Sequence, residues 1–303
     1  MQAKFQVGIY GSFDREKFQR EWRPWFTGVE VTNLSSWEEA VEVVKFTRSM
    51  GIKFGIHHPL VKGQYEGFDP HLLVNSPDID VMARSISLVN QALTEARELG
   101  AEYLLIHFPK PVILDTSLDW SDWRFVQPGE AIPQGEVDRA KLERISKRAF
   151  ENLEQFSHEV GVPLILEMDI LHAWYYQGMI RELYQAHPGL GLCLDTGRLH
   201  LQSATDPGFD VAAFVDSLKP WVTNIHLWTV QLGQNKKGGH HPLLPELLSS
   251  EGWGPMDEML TKFCDIEEAW ALFEHRSDLV TSEALERCYQ WVSKQLCGTQ
   301  RSS

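Results

Sequence analysis

Eight short apolar segments, separated by stretches of helical periodicity, predict an α/β chain folded as a single-domain (β/α)8 barrel, the TIM-barrel architecture. The segments are rich in Leu, Ile, Val and Phe and are bounded by Gly or Pro, so they read as buried strands of a parallel sheet. The stretches between them are amphipathic. The first segment runs into Gly8-Ile9-Tyr10-Gly11-Ser12, which lacks the glycine fingerprint of a doubly wound dinucleotide-binding sheet, the competing arrangement.

In chain order the expected strands are 5–10, 28–32, 53–58, 103–108, 163–168, 191–195, 222–228 and 270–275. Among the helices between them, Trp37, Ala40, Val41 and Val44 make one apolar face. Ile79, Met82, Ala83, Ile86, Val89 and Leu93 make a second, and Leu142, Ile145, Ala149, Leu153 and Phe156 a third. Gly51, Gly100 and Gly161 stand where a left-handed cap ends a helix before the next strand. The loops after the third, fourth and seventh strands, 59–77, 109–136 and 229–255, are long, and on the C-terminal face of a barrel such loops form lids or substrate walls. Trp120, Trp123 and Phe125 in the fourth loop suit stacking on the apolar face of a ligand or packing on a neighbouring subunit.

The 303 residues are 43% hydrophobic, enough for one large core. The formal net charge of -14 argues against a nucleic-acid partner, which would need a basic footprint. Residues 1–8 lack the layout of a signal peptide, and no apolar run approaches the roughly 20 residues of a membrane span. Cys193, Cys264, Cys288 and Cys297 form no CxxC pair and read as reduced thiols, with Cys193 in the core. The expectation is a cytoplasmic protein with no membrane or nucleic-acid partner, self-association being left open.

Four of the apolar runs end in a group able to hold a divalent metal: Glu167, Asp195, His226 and Glu274. At the C-terminal ends of neighbouring parallel strands, such groups converge. Ile56-His57-His58-Pro59 and Ile106-His107-Phe108-Pro109 share the pattern Ile-His-x-Pro, which aims His57, rather than His58, into the mouth beside His107. Buried carboxylates need a cation or a metal, and the nearest strand-end cations are Arg198 and Arg276. Three carboxylates and one imidazole form a hard, mixed site for one divalent ion: Mn²⁺ is favoured, with Mg²⁺, Co²⁺ and Zn²⁺ open.

These residues resemble the xylose isomerase-like TIM barrel superfamily, the sugar phosphate isomerase/epimerase family, over residues 1–297, leaving 298–303 as a flexible C-terminal tail. The resemblance implies that Glu167, Asp195, His226 and Glu274 hold the metal, and that Glu167 and Glu274 also exchange protons with substrate. The implied activity is sugar isomerisation or epimerisation in carbohydrate metabolism, on a small carbohydrate-like substrate or a sugar-derived keto or hydroxy compound. Chemically, a metal that chelates a carbonyl and an adjacent hydroxyl acidifies the neighbouring C–H and stabilises the enediolate, while two carboxylates move the proton. His57, His107, Arg198 and His240 are the expected substrate-binding groups, His240 from Lys236-Lys237-Gly238-Gly239-His240-His241-Pro242.

One departure is Arg198, three residues after Asp195, where family members often carry histidine. A guanidinium there suits a substrate carboxylate or phosphate, or a salt bridge to a neighbouring carboxylate. The alternatives are a metal-dependent hydrolase or lyase of the same fold, with an endonuclease IV-like multi-zinc phosphodiesterase the weakest because two ligands of its third metal are absent, and a non-catalytic binding subunit.

Overall fold

Alternating inward and outward residues close the sheet on itself. The computed structural model describes residues 1–65, 71–123, 125–233 and 239–298. Its barrel strands are β1 (Gln2–Tyr10), β2 (Gly28–Thr32), β3 (Lys53–His57), β4 (Leu104–Phe108), β5 (Leu164–Met168), β6 (Gly191–Asp195), β7 (Val222–His226) and β8 (Glu268–Phe273). All eight are parallel, and β1 pairs with both β2 and β8, so no edge is left open. This is the predicted (β/α)8 barrel, with strand ends shifted by up to three residues. The seventh and eighth strands stop at His226 and Phe273, so Glu274 is presented just past its strand.

Helices cover the outside: α1 (Arg15–Glu21), α2 (Trp37–Met50), α3 (Ile79–Leu99), α4 (Arg139–Val160), α5 (Ile180–Ala186), α6 (Thr196–Thr205), α7 (Val211–Leu218), α8 (Met256–Phe263) and α9 (Ser282–Cys297). Gly51, Gly100 and Gly161 adopt the expected left-handed caps of α2, α3 and α4. The apolar faces are corrected at their margins. In α2 the buried face is Ala40, Val43, Val44 and Thr47, while Trp37 is 38% exposed. In α3 Met82, Ile86, Val89 and Leu93 are buried, but Ile79 at its first turn is 52% exposed. A parallel ribbon, Val112–Leu114 with Ala131–Pro133, folds within the long fourth loop. Lys236, Lys237 and Gly238 of the seventh loop and tail residues 299–303 lie outside the described residues.

Most of the apolar core lies between sheet and helices, whereas Tyr103, Leu105, Ile165 and Cys193 form a separate cluster, with Trp270 packed against it. The four cysteines are free thiols, and no helix among the described residues is long and apolar enough to cross a membrane.

Two glycines are required by that interior. A Cβ on Gly8 would come within 2.1 Å of the Tyr10 ring, and one on Gly55 within 2.1 Å of the Tyr103 ring. Gly55→Ala therefore forces Tyr103 to move and is expected to cost about 1–3 kcal/mol of stability, the usual range for overpacking a filled core. Urea unfolding of wild type and variant checks this; equal midpoints and slopes would mean that the ring relocates freely.

Candidate metal centre

Strand parity builds the site. His107 on β4 pairs in register with Glu167 on β5, and Asp195 on β6 with His226 on β7, so their side chains share the barrel mouth. One ligand-type atom from each of Glu167, Asp195, His226 and Glu274 lies within 4.8 Å of the others, as expected for the four strand-end groups. His57, His107 and Glu167 form a second such group, and Glu30, His57 and His226 a third. His57 does face the mouth. His58 turns away and stacks on Tyr65, with ring centroids 5.1 Å apart.

Local structure fixes Asp195. Asp195 is the N-cap of α6, its Oδ1 accepting from the Arg198 backbone N–H at 2.8 Å. Its Oδ2 accepts from Trp228 Nε1 at 2.6 Å. Trp228 lies flat over Gly197, where a Cβ would fall 2.4 Å from the ring, and His240 stacks on Trp228 at 4.0 Å between centroids. Thr196 Oγ1 accepts from Trp228 N at 3.0 Å, tying the start of α6 to the residues after β7. His240 and Glu274 also line an open cavity of about 350 Å³ with Tyr10, Lys17, His275, Arg276 and Asp278. Thus His240, although distant in sequence, reaches the site.

Arg198 adopts the salt-bridge arrangement foreseen as its alternative. Its Nε donates to Glu167 Oε1 at 2.9 Å and one terminal nitrogen to Asp169 Oδ1 at 2.7 Å. The expectation for Arg276 is corrected: it faces outward and pairs with exposed Asp278 at 2.6 Å. The cation that is fully buried, among the described residues, is Lys110, 1% exposed, which pairs with Glu130 and lies 2.7 Å from Asp169. Sequence reasoning missed Lys110, Asp169 and Glu30. Asp169 had a signal, since it stands two residues after Glu167, at the same parity, just past the end of β5. Glu30 had one too, a lone carboxylate between Val29 and Val31. Lys110, in a long loop, had none.

The electrostatics call for positive charge. Glu30, Glu167, Asp169 and Asp195 are each at most 6% exposed, and Glu274 joins them; among the described residues Arg198 pairs with Glu167 and Asp169, and Lys110 with Asp169. Burial, with the charges of Glu167 and Glu274, pushes the Asp195 carboxyl well above the usual carboxylate range despite its two hydrogen bonds. For His226 burial acts downward, but Cys193 and the carboxylates Glu30, Glu274 and Glu167 outweigh it and hold the imidazole well above its usual range.

A divalent ion fits this donor set. Glu167 Oε2, His226 Nδ1 and Glu274 Oε2 are buried and make no hydrogen bond. Glu167 Oε2 faces His226 Nδ1 at 3.5 Å, His57 Nε2 at 3.6 Å and His107 Nε2 at 3.9 Å. Two ligands of a tetrahedral ion, each about 2.1 Å from it, are roughly 3.4 Å apart. Such separations are too long for hydrogen bonds and suit donors grouped around a cation.

No family model matches the chain, and no curated protein sequence matches it. Solved structures match over nearly its whole length. A D-tagatose 3-epimerase-like protein is 17% identical, with 97% of this chain and 99% of that one covered at a TM-score of 0.63. The IolI protein with a bound zinc atom is 12% identical, with 99% and 100% covered at 0.63. Mannonate dehydratase from Streptococcus suis serotype 2 is 14% identical, with 100% and 97% covered at 0.62. The chain has the fold of the xylose isomerase-like TIM barrels.

Arg198→Met strips Glu167 and Asp169 of a shared cation. The expected loss of stability is about 2–3 kcal/mol, below the roughly 3–5 of a fully enclosed pair because the guanidinium keeps some solvent contact. Guanidinium chloride unfolding in the presence of chelator measures it; a loss under about 0.5 kcal/mol would class the contacts with screened surface bridges.

Proposed function

We propose that this protein is a divalent-metal-dependent isomerase or epimerase of a small carbohydrate-like substrate, with Glu167 and Glu274 as the proton-exchanging pair. The observation that carries the reading is the convergence of Glu167, Asp195, His226 and Glu274, three of them with buried donor atoms that lack a hydrogen-bond partner. A bound divalent ion, Mn²⁺ in first place, supplies carbonyl polarisation and acidifies the adjacent C–H.

The protein's own groups then divide the work. Glu167 and Glu274 take a proton from the carbon and return it to the other face or to its neighbour, Glu167 through an Oε2 3.5 Å or more from the imidazole nitrogens of His226, His57 and His107, and Glu274 through an Oε2 that faces His226 Nδ1 at 3.1 Å. Asp195 and His226 anchor the ion. His57 and His107 hydrogen-bond substrate hydroxyls, and His240, stacked on Trp228, closes the side towards the cavity beside Glu274. Arg198 keeps Glu167 ionised and orients it, and its remaining N–H groups are available to an acidic substrate group. The fold likeness to an epimerase-like protein and to a zinc-bound barrel supports the class of chemistry. The acidic chain favours a small-molecule partner over nucleic acid, and the free thiols favour a reducing compartment such as the cytoplasm.

A second reading, metal-dependent hydrolysis, is favoured by one specific contact. His57 Nε2 and His107 Nε2 are 3.1 Å apart, while their Nδ1 atoms face Glu30 at 3.2 Å and Asp169 at 3.5 Å. With both outer nitrogens protonated towards carboxylates, the inner pair needs a shared proton or a second cation.

Elemental analysis with solvent-exchange assays tests both. One ion per chain, with deuterium entering a ketose, aldose or keto-acid at the carbon next to the carbonyl, is the expected result. Glu274→Gln should slow that exchange at least about 100-fold while the substrate still binds. Two tightly held ions, and no exchange with any such substrate, would replace this function with hydrolysis. Binding without exchange in wild type and variant alike would indicate a non-catalytic binding subunit.

A further inference from the structure

The innermost charge of the mouth belongs to a residue outside the proposed ligand set. Glu30 lies in the middle of β2, with no exposed surface, and its register partners on the flanking strands are Gly8 and Gly55. The space those glycines leave is filled by the rings of Tyr10 and Tyr103. Tyr103 Oη donates to Glu30 Oε2 at 2.7 Å, which fixes one side of the carboxylate. The other oxygen, Oε1, faces two imidazoles at once, His57 Nδ1 at 3.2 Å and His226 Nε2 at 3.3 Å.

Each ring therefore meets Glu30 through one nitrogen and turns the other to Glu167 Oε2: Nε2 of His57 at 3.6 Å and Nδ1 of His226 at 3.5 Å. His226 Nδ1 also lies 3.1 Å from Glu274 Oε2. The partner of one imidazole nitrogen decides which way the ring faces and which nitrogen keeps its electron pair. One carboxylate is placed to do this for both rings, with His57 Nδ1 facing Oε1 and His226 Nε2 lying between Oε1 at 3.3 Å and Oε2 at 3.4 Å.

We propose that Glu30 is a positioning residue of the cation site. It holds His57 through Nδ1 and His226 through Nε2, so that the nitrogens turned towards Glu167 remain electron-pair donors. This rests on the metal-site reading above and extends it to a residue, with Tyr103 behind it, that neither motif nor strand-end position marks. The role is one of acceptor geometry rather than charge alone. Glutamine at position 30 retains a carbonyl oxygen for both imidazoles and can point its amide at Tyr103 Oη, whose hydroxyl then turns to Gln6 Oε1, 2.9 Å away. Methionine offers only a weak thioether acceptor.

The test is zinc binding by the full chain, read by chelator competition and by long-range ¹H–¹⁵N NMR of histidine-labelled, zinc-loaded protein. The expected NMR result for wild type is zinc on His226 Nδ1 and a proton on His226 Nε2. Glu30→Met should weaken zinc about 10- to 100-fold, as loss of a group that orients a ligand does, and Glu30→Gln should recover most of it. Zinc on His226 Nε2 in wild type overturns the proposal without any variant, so it stays testable if Glu30→Met does not fold. Equal zinc affinity in wild type and Glu30→Met overturns it too, leaving the metal site itself intact. A wild-type chain that takes up no zinc, cobalt or manganese overturns both the metal site and this inference.

Discussion

Compensation of buried negative charge is the constraint on which the site depends. Glu30, Glu167, Asp169, Asp195 and Glu274 crowd one end of a closed barrel where water is scarce, and an unpartnered carboxylate there is too costly to keep. The chain meets the demand in three ways. Arg198 spans Glu167 and Asp169, Lys110 is drawn in from a loop to Asp169 and Glu130, and the N-terminus of α6 receives Asp195 as its cap. Imidazoles fill most of the remaining space. Arg198 illustrates the strength of the requirement: it sits in the first turn of a helix, where the backbone dipole disfavours a cation, and only the surrounding carboxylates make the position favourable.

Packing converts this charge pattern into a geometry. Glycines 8 and 55 give up interior volume to tyrosine rings, Tyr103 braces Glu30, and Glu30 faces two histidines. On the opposite side Gly197 admits the Trp228 ring, whose Nε1 grips Asp195 and whose face carries His240. Small residues beside large aromatics thus set polar groups to within ordinary hydrogen-bond tolerances, as a preorganised site requires.

The two glutamates proposed for proton exchange are not equivalent. Glu167 is 1% exposed and one of its oxygens is occupied by Arg198, whose charge, after those of His107 and His226, offsets burial and keeps the carboxyl below its usual range. Glu274 forms part of the wall of an open cavity, with a side chain 12% exposed. Of the pair, Glu274 is the more accessible from the cavity, and Glu167 has the more rigidly defined position. A reaction that treats the two faces of a carbon differently draws on such an asymmetry.

Local patterning made the barrel and its strand-end groups legible in the sequence. Alternation along a strand and periodicity along a helix are properties of a few adjacent residues, and from them eight strands, the convergence of Glu167, Asp195, His226 and Glu274, and the inward turn of His57 and His107 follow. The paired Ile-His-x-Pro settings favoured His57 over His58, and only the folded chain, in which His58 stacks on Tyr65, decided between them. The charge partners were not legible. Arg276 and Lys110 look alike as candidate cations, and only the path of the fourth loop buries Lys110 while the turn after β8 sends Arg276 to solvent. Arg198 could have faced a ligand or a neighbour, and the register of β5 against β6 gave it Glu167 and Asp169. Glu30 was visible as an oddity between valines, but its tie to His226, 196 residues away, exists only once the barrel closes. The sequence by itself determined which residues point inward, because parity is local; the tertiary structure decided which of them meet, because that depends on strand stagger and loop closure across the whole chain.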